Sequence, residues 1–355
     1  MTLADLIALV MLAALIIYML SGGADFGGGV WDLFASGPRR ERQRQLIESA
    51  IAPVWEANHV WLILVIVLLF TAFPRAFAVI LTGLHVPLTL MLLGILARGS
   101  AFVFRQYGGY DPRGRARWGR VFAIASLVTP VFLGASLATL CTGRLALDGG
   151  RPLPGTLSAW LAPLPLATGA FTLALCAFLA AVYLIHEADD DALRDDFRLR
   201  ALASGLLVGA TALVAALASW HSAAPFAHAL FHAPWSLPLQ LATGASATAA
   251  LAGLATRRYG LARACAIAQT TLILTGFGLA QHPYLVRPGL TFADAAAPVA
   301  TLRLLAPTLA AGAVILFPSL YYMLRVFKPR RDAPAATPPA GAATPDGPPR
   351  PPAAR

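Results

Sequence analysis

Long apolar runs dominate this chain and limit its fold more than any other feature. Nine windows of about 20 residues, the length that crosses ~30 Å of hydrocarbon, lie near residues 3–22, 51–72, 76–97, 121–141, 164–185, 201–219, 238–255, 261–281 and 304–326. The chain is 58% hydrophobic and 12% charged, whereas globular domains are about 25% charged. The sequence predicts an all-α, polytopic integral membrane protein with about nine transmembrane helices in bundles.

The two ends of the chain differ from each other in character. The run that begins at Leu3 has no basic leader and carries Asp5, so we interpret it as a first span and not as a cleaved signal. From Pro329 onward the chain consists mainly of Pro, Ala, Gly and Arg without periodicity, which is typical of disorder. We therefore predict a transmembrane domain over residues 1–328 and a disordered cytoplasmic tail over residues 329–355.

The basic residues are concentrated in alternate connections, after spans 1, 3, 5, 7 and 9. By the positive-inside rule these connections are cytoplasmic, which places the N-terminus outside and the C-terminus inside. The net charge of +10 then indicates anchoring against anionic lipid. A nucleic-acid partner is not predicted, because the arginines lie in short loops between apolar runs and not on a soluble face.

Cysteine and histidine spacing predicts no metal centre. The three cysteines are scattered and form no CxxC pair, so neither a disulfide framework nor a zinc site is implied. His221, His228 and His232 lie between spans 6 and 7 at spacings of seven and four. Imidazole suits zinc and copper, but no carboxylate or thiolate is nearby, which favours a solvated or headgroup-contacting loop.

Span 2 opens with polar residues at Glu56, Asn58 and His59, flanked by Trp55 and Trp61. An ionisable group inside hydrocarbon costs at least ~2.5 kcal/mol, so such residues usually face a bundle interior or a watery path. Glu56 and His59 are three residues apart and share a helix face. The alternative is an interfacial cap, with the indoles in the aromatic belt and Glu56 in the first turn.

A second acid, Asp25, lies near the end of span 1 among glycines. Gly23 and Gly27 form a small-xxx-small pair that permits close helix approach, and further glycines permit unusual backbone angles. Asp25 and Glu56 flank one cytoplasmic turn, and neighbouring buried carboxyls can hold protons near neutral pH. A proton-uptake path is one interpretation; the other is that Asp25, near the water interface, pairs with Arg39 or a neighbouring arginine. Spacing alone leaves both open.

Three stretches together resemble the second subunit of the cytochrome bd family of quinol oxidases. They are residues 23–29 (GADFGGG), residues 51–61 followed by 71–74 (TAFP), and residues 281–302, which begin QHPYLV. Glu56 stands where many members have Asp, and His59 replaces a Gln or Glu, as in the cyanide-insensitive branch. An acid that some members carry before Asp25 is Gly22 here.

The resemblance implies a heterodimer in a bacterial cytoplasmic membrane that oxidises quinol and reduces O₂ to water with cytoplasmic protons. Haems b and d would belong to the partner, subunit I, so this chain would have no catalytic residue and no activity alone. Glu56 would lie on the proton path and Asp25 near its entrance, with Trp55, Asn58 and His59 lining or bracing it. Some members hold a structural quinone here, for which no motif assigns residues.

Two other functions remain open. A secondary transporter could use Glu56 and Asp25 as coupling carboxylates, and a purely structural subunit would leave proton entry to its partner. No haem ligand is predicted, because an axial ligand needs a positioned His, Met or Cys inside the bundle and most histidines fall at span ends. His85 in span 3 is the single weak candidate, and a hydrogen-bonded core histidine is the alternative.

Overall fold

The computed structural model of the chain describes residues 2–52, 55–108, 112–145, 147–148, 151–152 and 157–327. The predicted tail lies outside the described residues. The helices are α1 Leu3–Leu33, α2 Arg40–Ile51, α3 Trp55–Ala72, α4 Pro74–Gly83, α5 His85–Tyr107, α6 Pro112–Thr139, α7 Leu157–Trp160, α8 Pro163–Glu187, α9 Asp191–Ser222, α10 Ala224–His232, α11 Ser236–Ala255, α12 Tyr259–Gln281, α13 Phe292–Ala295 and α14 Val299–Phe327. Two antiparallel hairpins pair β1 Leu147–Asp148 with β2 Arg151–Pro152, and β3 Tyr284–Val286 with β4 Leu290–Thr291.

Nine helices within the described ranges are long and apolar enough to cross a membrane. They are Leu3–Leu33, Trp55–Ala72, His85–Arg105, Arg113–Thr139, Pro163–Glu187, Asp191–Ser222, Ser236–Ala255, Tyr259–Gln281 and Val299–Met323. The all-α, nine-span prediction is confirmed. α8 is the central helix and packs against α1, α6 and α9, whereas α14 is largely exposed on the outside of the bundle.

The predicted third span, residues 76–97, is wrong in its register. Its first part belongs to α4, which begins with Pro74 at its first turn and ends at Gly83. The spanning helix begins afterwards at His85 and continues to Tyr107. A hydropathy window cannot separate two consecutive apolar helices, because both contribute equally to the average. The shift places Arg98 inside the spanning helix.

The glycines near Asp25 serve close packing. The expectation of unusual backbone angles is wrong, since residues 22–29 are all helical in α1. A Cβ at Gly27 would overlap the carbonyl oxygen of Cys176 on α8, and a Cβ at Gly29 would overlap the Ser126 side chain on α6. The predicted close approach of another helix at Gly27 is therefore confirmed, and it holds α1 against α6 and α8.

The segment after α12 folds over the end of α3. The backbone N–H of Ala297 donates to the carbonyl of Ala72 at 2.8 Å, and Phe73 packs on Phe292. Thr291 caps α13, and its hydroxyl and backbone N–H lower the pKa of Asp294 below its ordinary value. This segment is the third stretch on which the family resemblance depends.

Candidate proton-handling site

The centre of the site is an ion pair between Asp25 of α1 and Arg98 of α5. Both side chains are almost inaccessible, at 2% and 1% exposure. The Arg98 Nε also donates to the Ser126 hydroxyl at 3.1 Å, and its guanidinium lies 5.1 Å from the Phe26 ring centroid and 4.9 Å from that of Phe122. Buried charges need such pairing, because an isolated ion in a low-dielectric interior is unstable.

His59 of α3 packs beside this pair. Its ring centroid lies 6.2 Å from that of Tyr18 and 6.4 Å from that of Phe26. Asp25 Oδ2, His59 Nδ1 and Asn58 Nδ2 are buried and have no hydrogen-bond partner among the described residues. Buried polar atoms in proteins are usually satisfied by protein groups or ordered water. The residues of these three atoms, here called the polar strip, lie where α1 packs against α3.

Glu56 lies one turn before His59, but the two side chains have different surroundings. Its side chain is exposed, in the first turn of α3, and makes no hydrogen bond or ion pair with any described residue. Beside it, Trp55 is half-buried, 5.7 Å from Phe102 between ring centroids, and covers Gly99 of α5. The expectation that Glu56 and His59 face one environment is wrong: His59 faces α1 and Glu56 faces outward.

Charged groups from several connections meet at this end of the bundle. Arg39 forms a two-point hydrogen bond with Asp196 of α9, at 2.8 and 2.5 Å, which raises the pKa of Arg39. Asp32 at the end of α1 is buried and lies 3.0 Å from Arg105 Nη1, and Arg105 Nη2 lies 3.7 Å from Glu48 of α2. The connections after the first, third and fifth spans therefore meet at one face, as their alternation predicted.

The pairing of Asp25 was predicted with the wrong partner. Arg39, the named candidate, pairs with Asp196, and Asp25 pairs with Arg98. The Asp25 side chain is also only 4% exposed, so the surrounding helices shield it from solvent. Arg98 was missed because the predicted third span ended at residue 97. The sequence did contain a signal for this pair: Arg98 directly follows an apolar run, and Asp25 is an acid on another span.

The histidines do not gather into a closed metal centre within the described ranges. No group of three or more His, Cys, Asp or Glu side chains comes together there. His85 is the first residue of α5, is exposed, and its Nδ1 lies 2.9 Å from the Thr82 carbonyl. The core-histidine interpretation of His85 is therefore wrong, and an exposed ring at a helix end does not provide a haem pocket.

A separate cavity of about 450 Å³ lies between α8, α9, α11 and α12. Its lining is apolar apart from small hydroxyls and the amides of Gln240 and Gln269. Neither Asp25 nor Glu56 contributes to it. The cavity and the ion pair are therefore distinct features of the bundle.

The fold and the site describe an all-helical membrane protein with a buried acid–arginine pair near a charged face. The family model for cytochrome bd terminal oxidase subunit II matches residues 3–327. The chain belongs to this family.

Comparisons with individual proteins agree. Subunit 2 of the Bacillus subtilis cytochrome bd ubiquinol oxidase is 32% identical over 155 residues, which are 43% of this chain and 44% of that protein. Subunit 2 of the Escherichia coli K12 cytochrome bd-I ubiquinol oxidase is 31% identical over 129 residues, covering 36% and 33%. These matches span less than half of either relative.

Longer matches are more distant in sequence. The putative cytochrome bd menaquinol oxidase subunit II of B. subtilis is 22% identical over 322 residues, which are 88% of this chain and 91% of that protein. A chain of the bd oxidase structure from Geobacillus thermodenitrificans superposes with a TM-score of 0.78 at 22% identity, covering 92% of this chain and 99% of that one. This superposition establishes a shared fold.

Proposed function

We propose that this chain is subunit II of a membrane-bound quinol oxidase that reduces O₂ to water, and that it carries a proton-uptake path to a haem-bearing partner. The partner, subunit I, would hold haems b and d, as the family resemblance implies. Membership in the cytochrome bd terminal oxidase subunit II family favours this function over a secondary transporter. It also favours a bacterial cytoplasmic membrane as the location, and the arginine distribution supports an orientation with the arginine-rich face inside.

The observation that carries the proton path is the buried Asp25–Arg98 pair with its neighbouring polar atoms. The second carboxyl oxygen of Asp25 has no partner among the described residues, so it would be available to accept a hydrogen bond from an ordered water on the path. Arg98 keeps a negative charge tolerable at Asp25 in a low-dielectric region. The strip formed by Asp25, Asn58 and His59 thus supplies buried polar groups at the contact between α1 and α3.

Glu56 would be the exit of this path. Its exposed carboxyl has no partner in the described part of the chain, and a bare carboxyl facing lipid is unfavourable. A surface covered by another subunit resolves this, since the partner would then receive protons from Glu56. Trp55, packed on Phe102 and Gly99, would brace the start of α3 and keep Glu56 at that surface.

Replacing Glu56 tests the proposal, because Glu56→Gln keeps the size of the side chain and removes its titrating proton. We expect the complex to assemble with normal haem absorption and to lose at least about tenfold in quinol oxidase turnover, equivalent to about 1.4 kcal/mol of barrier. Glu56→Asp should keep substantial turnover, because it keeps the acid. Turnover and haem content are measured on the same purified complex.

Glu41→Gln is the matched control, because Glu41 on α2 is a 76% exposed acid whose closest charged contact is Arg44 at 3.6 Å. It should leave turnover unchanged. Parental turnover in Glu56→Gln would contradict the proton path and support the interfacial-cap interpretation. Loss of haem together with turnover would instead make Glu56 an assembly residue.

The resemblance also leads us to propose a structural quinone in this subunit. The apolar cavity between α8, α9, α11 and α12 is a suitable place to test for it. Organic extraction of the purified complex, followed by chromatography, should then yield quinone that remains after the exchangeable quinol has been washed out.

A further inference from the structure

The segment between the sixth and seventh spans is helical where a loop was expected. α9 continues to Ser222, and the separate helix α10 runs from Ala224 to His232. His228 and His232 are therefore four residues apart on one helix and share a face. Their rings are stacked, with centroids 4.8 Å apart and an angle of 15° between the planes.

Aromatic neighbours pack against one of these two rings, that of His232. Trp220, near the end of α9, stacks on Phe231 at 5.8 Å between centroids and meets the His232 ring edge-on at 5.5 Å. Both histidines are exposed, and neither forms a hydrogen bond or ion pair with the described parts of the chain. Their ring nitrogens are free to take an external ligand.

We propose that His228 and His232 form a binding site for a divalent transition-metal ion, with Cu²⁺ preferred over Zn²⁺. Two histidines at this spacing on one helix face are the arrangement that binds zinc in helical metal motifs. Metal–nitrogen bonds of about 2.1 Å require donor nitrogens roughly 3 Å apart for a right-angled chelate; the two exposed rings, 4.8 Å apart between centroids, would rotate about χ2 to bring their nitrogens to that separation. Neutral nitrogen ligands bind Cu²⁺ more tightly than other first-row divalent ions.

The site is open. No third His, Cys, Asp or Glu joins the pair within the described ranges, so water would complete the coordination. The site also lies at the end of α9 opposite to Asp196, far from the ion pairs of the proton-handling site. Metal binding here is therefore independent of the proposed oxidase function.

Copper titration of the purified complex, without a polyhistidine tag, tests the site. We expect the parent to bind about one more equivalent of Cu²⁺ in equilibrium dialysis than the H228A/H232A double variant. Each single variant should weaken Cu²⁺ binding by at least about tenfold. Loss of a residue that only supports a metal ligand already lowers metal affinity by about tenfold or more, and loss of the ligand itself should cost at least as much. Both side chains are exposed, so the variants should fold.

Two further variants sharpen the result. H221A removes an exposed histidine at the end of α9 and should bind Cu²⁺ as the parent does. W220F should keep the binding but lose part of the copper-dependent quenching of tryptophan fluorescence, because Trp220 is the indole in contact with His232. Equal copper binding by the parent and H228A/H232A, or equal losses in H221A and H228A, would overturn the proposal.

Discussion

The buried pair of Asp25 and Arg98 shows how one side chain depends on another 73 positions away. Removal of either partner leaves an uncompensated charge inside the bundle, which destabilises proteins by about 3–5 kcal/mol. Arg98 would keep only Ser126, the Asp25 backbone carbonyl and two aromatic faces. The pair therefore contributes to folding as well as to any proton transfer.

We expect Asp25→Asn to lower the thermal stability of the purified complex strongly and not only to slow turnover. Solvent cannot bypass the acid at this position, because it is 4% exposed. The double variant Asp25→Leu with Arg98→Met should recover much of the stability, since apolar replacement of a buried ion pair is often neutral or stabilising, while turnover stays low. Thermal unfolding in detergent and turnover assays measure the two effects separately.

Asp191→Asn is the control for this pair. Its side chain is 85% exposed and its ion pair with Arg194 lies on the surface of α9, so we expect a change within about 0.5 kcal/mol. A stability of Asp25→Asn equal to that of Asp191→Asn would show that the buried pair carries no net free energy of folding.

At the level of helices, the crossing of α1 over α8 depends on Gly27. The helix backbones approach so closely there that no side-chain atom fits between them. Such contacts drive helix association in membranes, where packing replaces the hydrophobic effect. The same crossing positions Asp25, two residues earlier on α1, toward Arg98.

We expect Gly27→Ala to destabilise the protein by about 1–3 kcal/mol or more, as overpacked cores are, and to disturb the Asp25–Arg98 pair. Gly209→Ala on α9 is the matched control, because a Cβ there meets nothing within 4 Å. That variant should be neutral or more stable by up to about 1 kcal/mol, since alanine favours helix. The measurement is the melting temperature of each variant in detergent. An equal fall in melting temperature in both variants would contradict the role of Gly27.

For the whole molecule, the ion pairs of Arg39, Arg105 and Arg257 bring distant connections to one end of the bundle. Nine spans, the number found in the described ranges, would place the first and last helix ends on opposite sides of the membrane. The positive-inside rule assigns the arginine-rich end to the cytoplasm. Which side each end occupies stays a prediction.

Reporter fusions check this orientation. We expect a reporter fluorescent only in the cytoplasm to be active after Lys328, and a reporter active only in the periplasm to be active after Leu145, which follows α6. If each reporter were active only at the other position, the assigned orientation would be wrong. If only one fusion behaved in reverse, the number of membrane crossings would differ from nine.

The membrane spans and the acids within them can be predicted from the sequence because they depend on local composition. The nine spans were found because twenty consecutive apolar residues have few alternatives to a membrane helix. Asp25 and Glu56 stood out because charge is rare in such runs. The register of the third span and the helix α10 were missed, since hydropathy averages do not detect where one helix ends and the next begins.

The class of fold, the approximate spans and the notable acids can be predicted from the sequence, because they depend on residues close together in the chain. The pairing of Asp25 with Arg98, the pairing of Arg39 with Asp196 and the outward direction of Glu56 emerge from the packed bundle. These outcomes depend on how α1, α3, α5 and α9 rotate and cross. Helix rotation is set by close contacts such as that at Gly27, and no single segment specifies it.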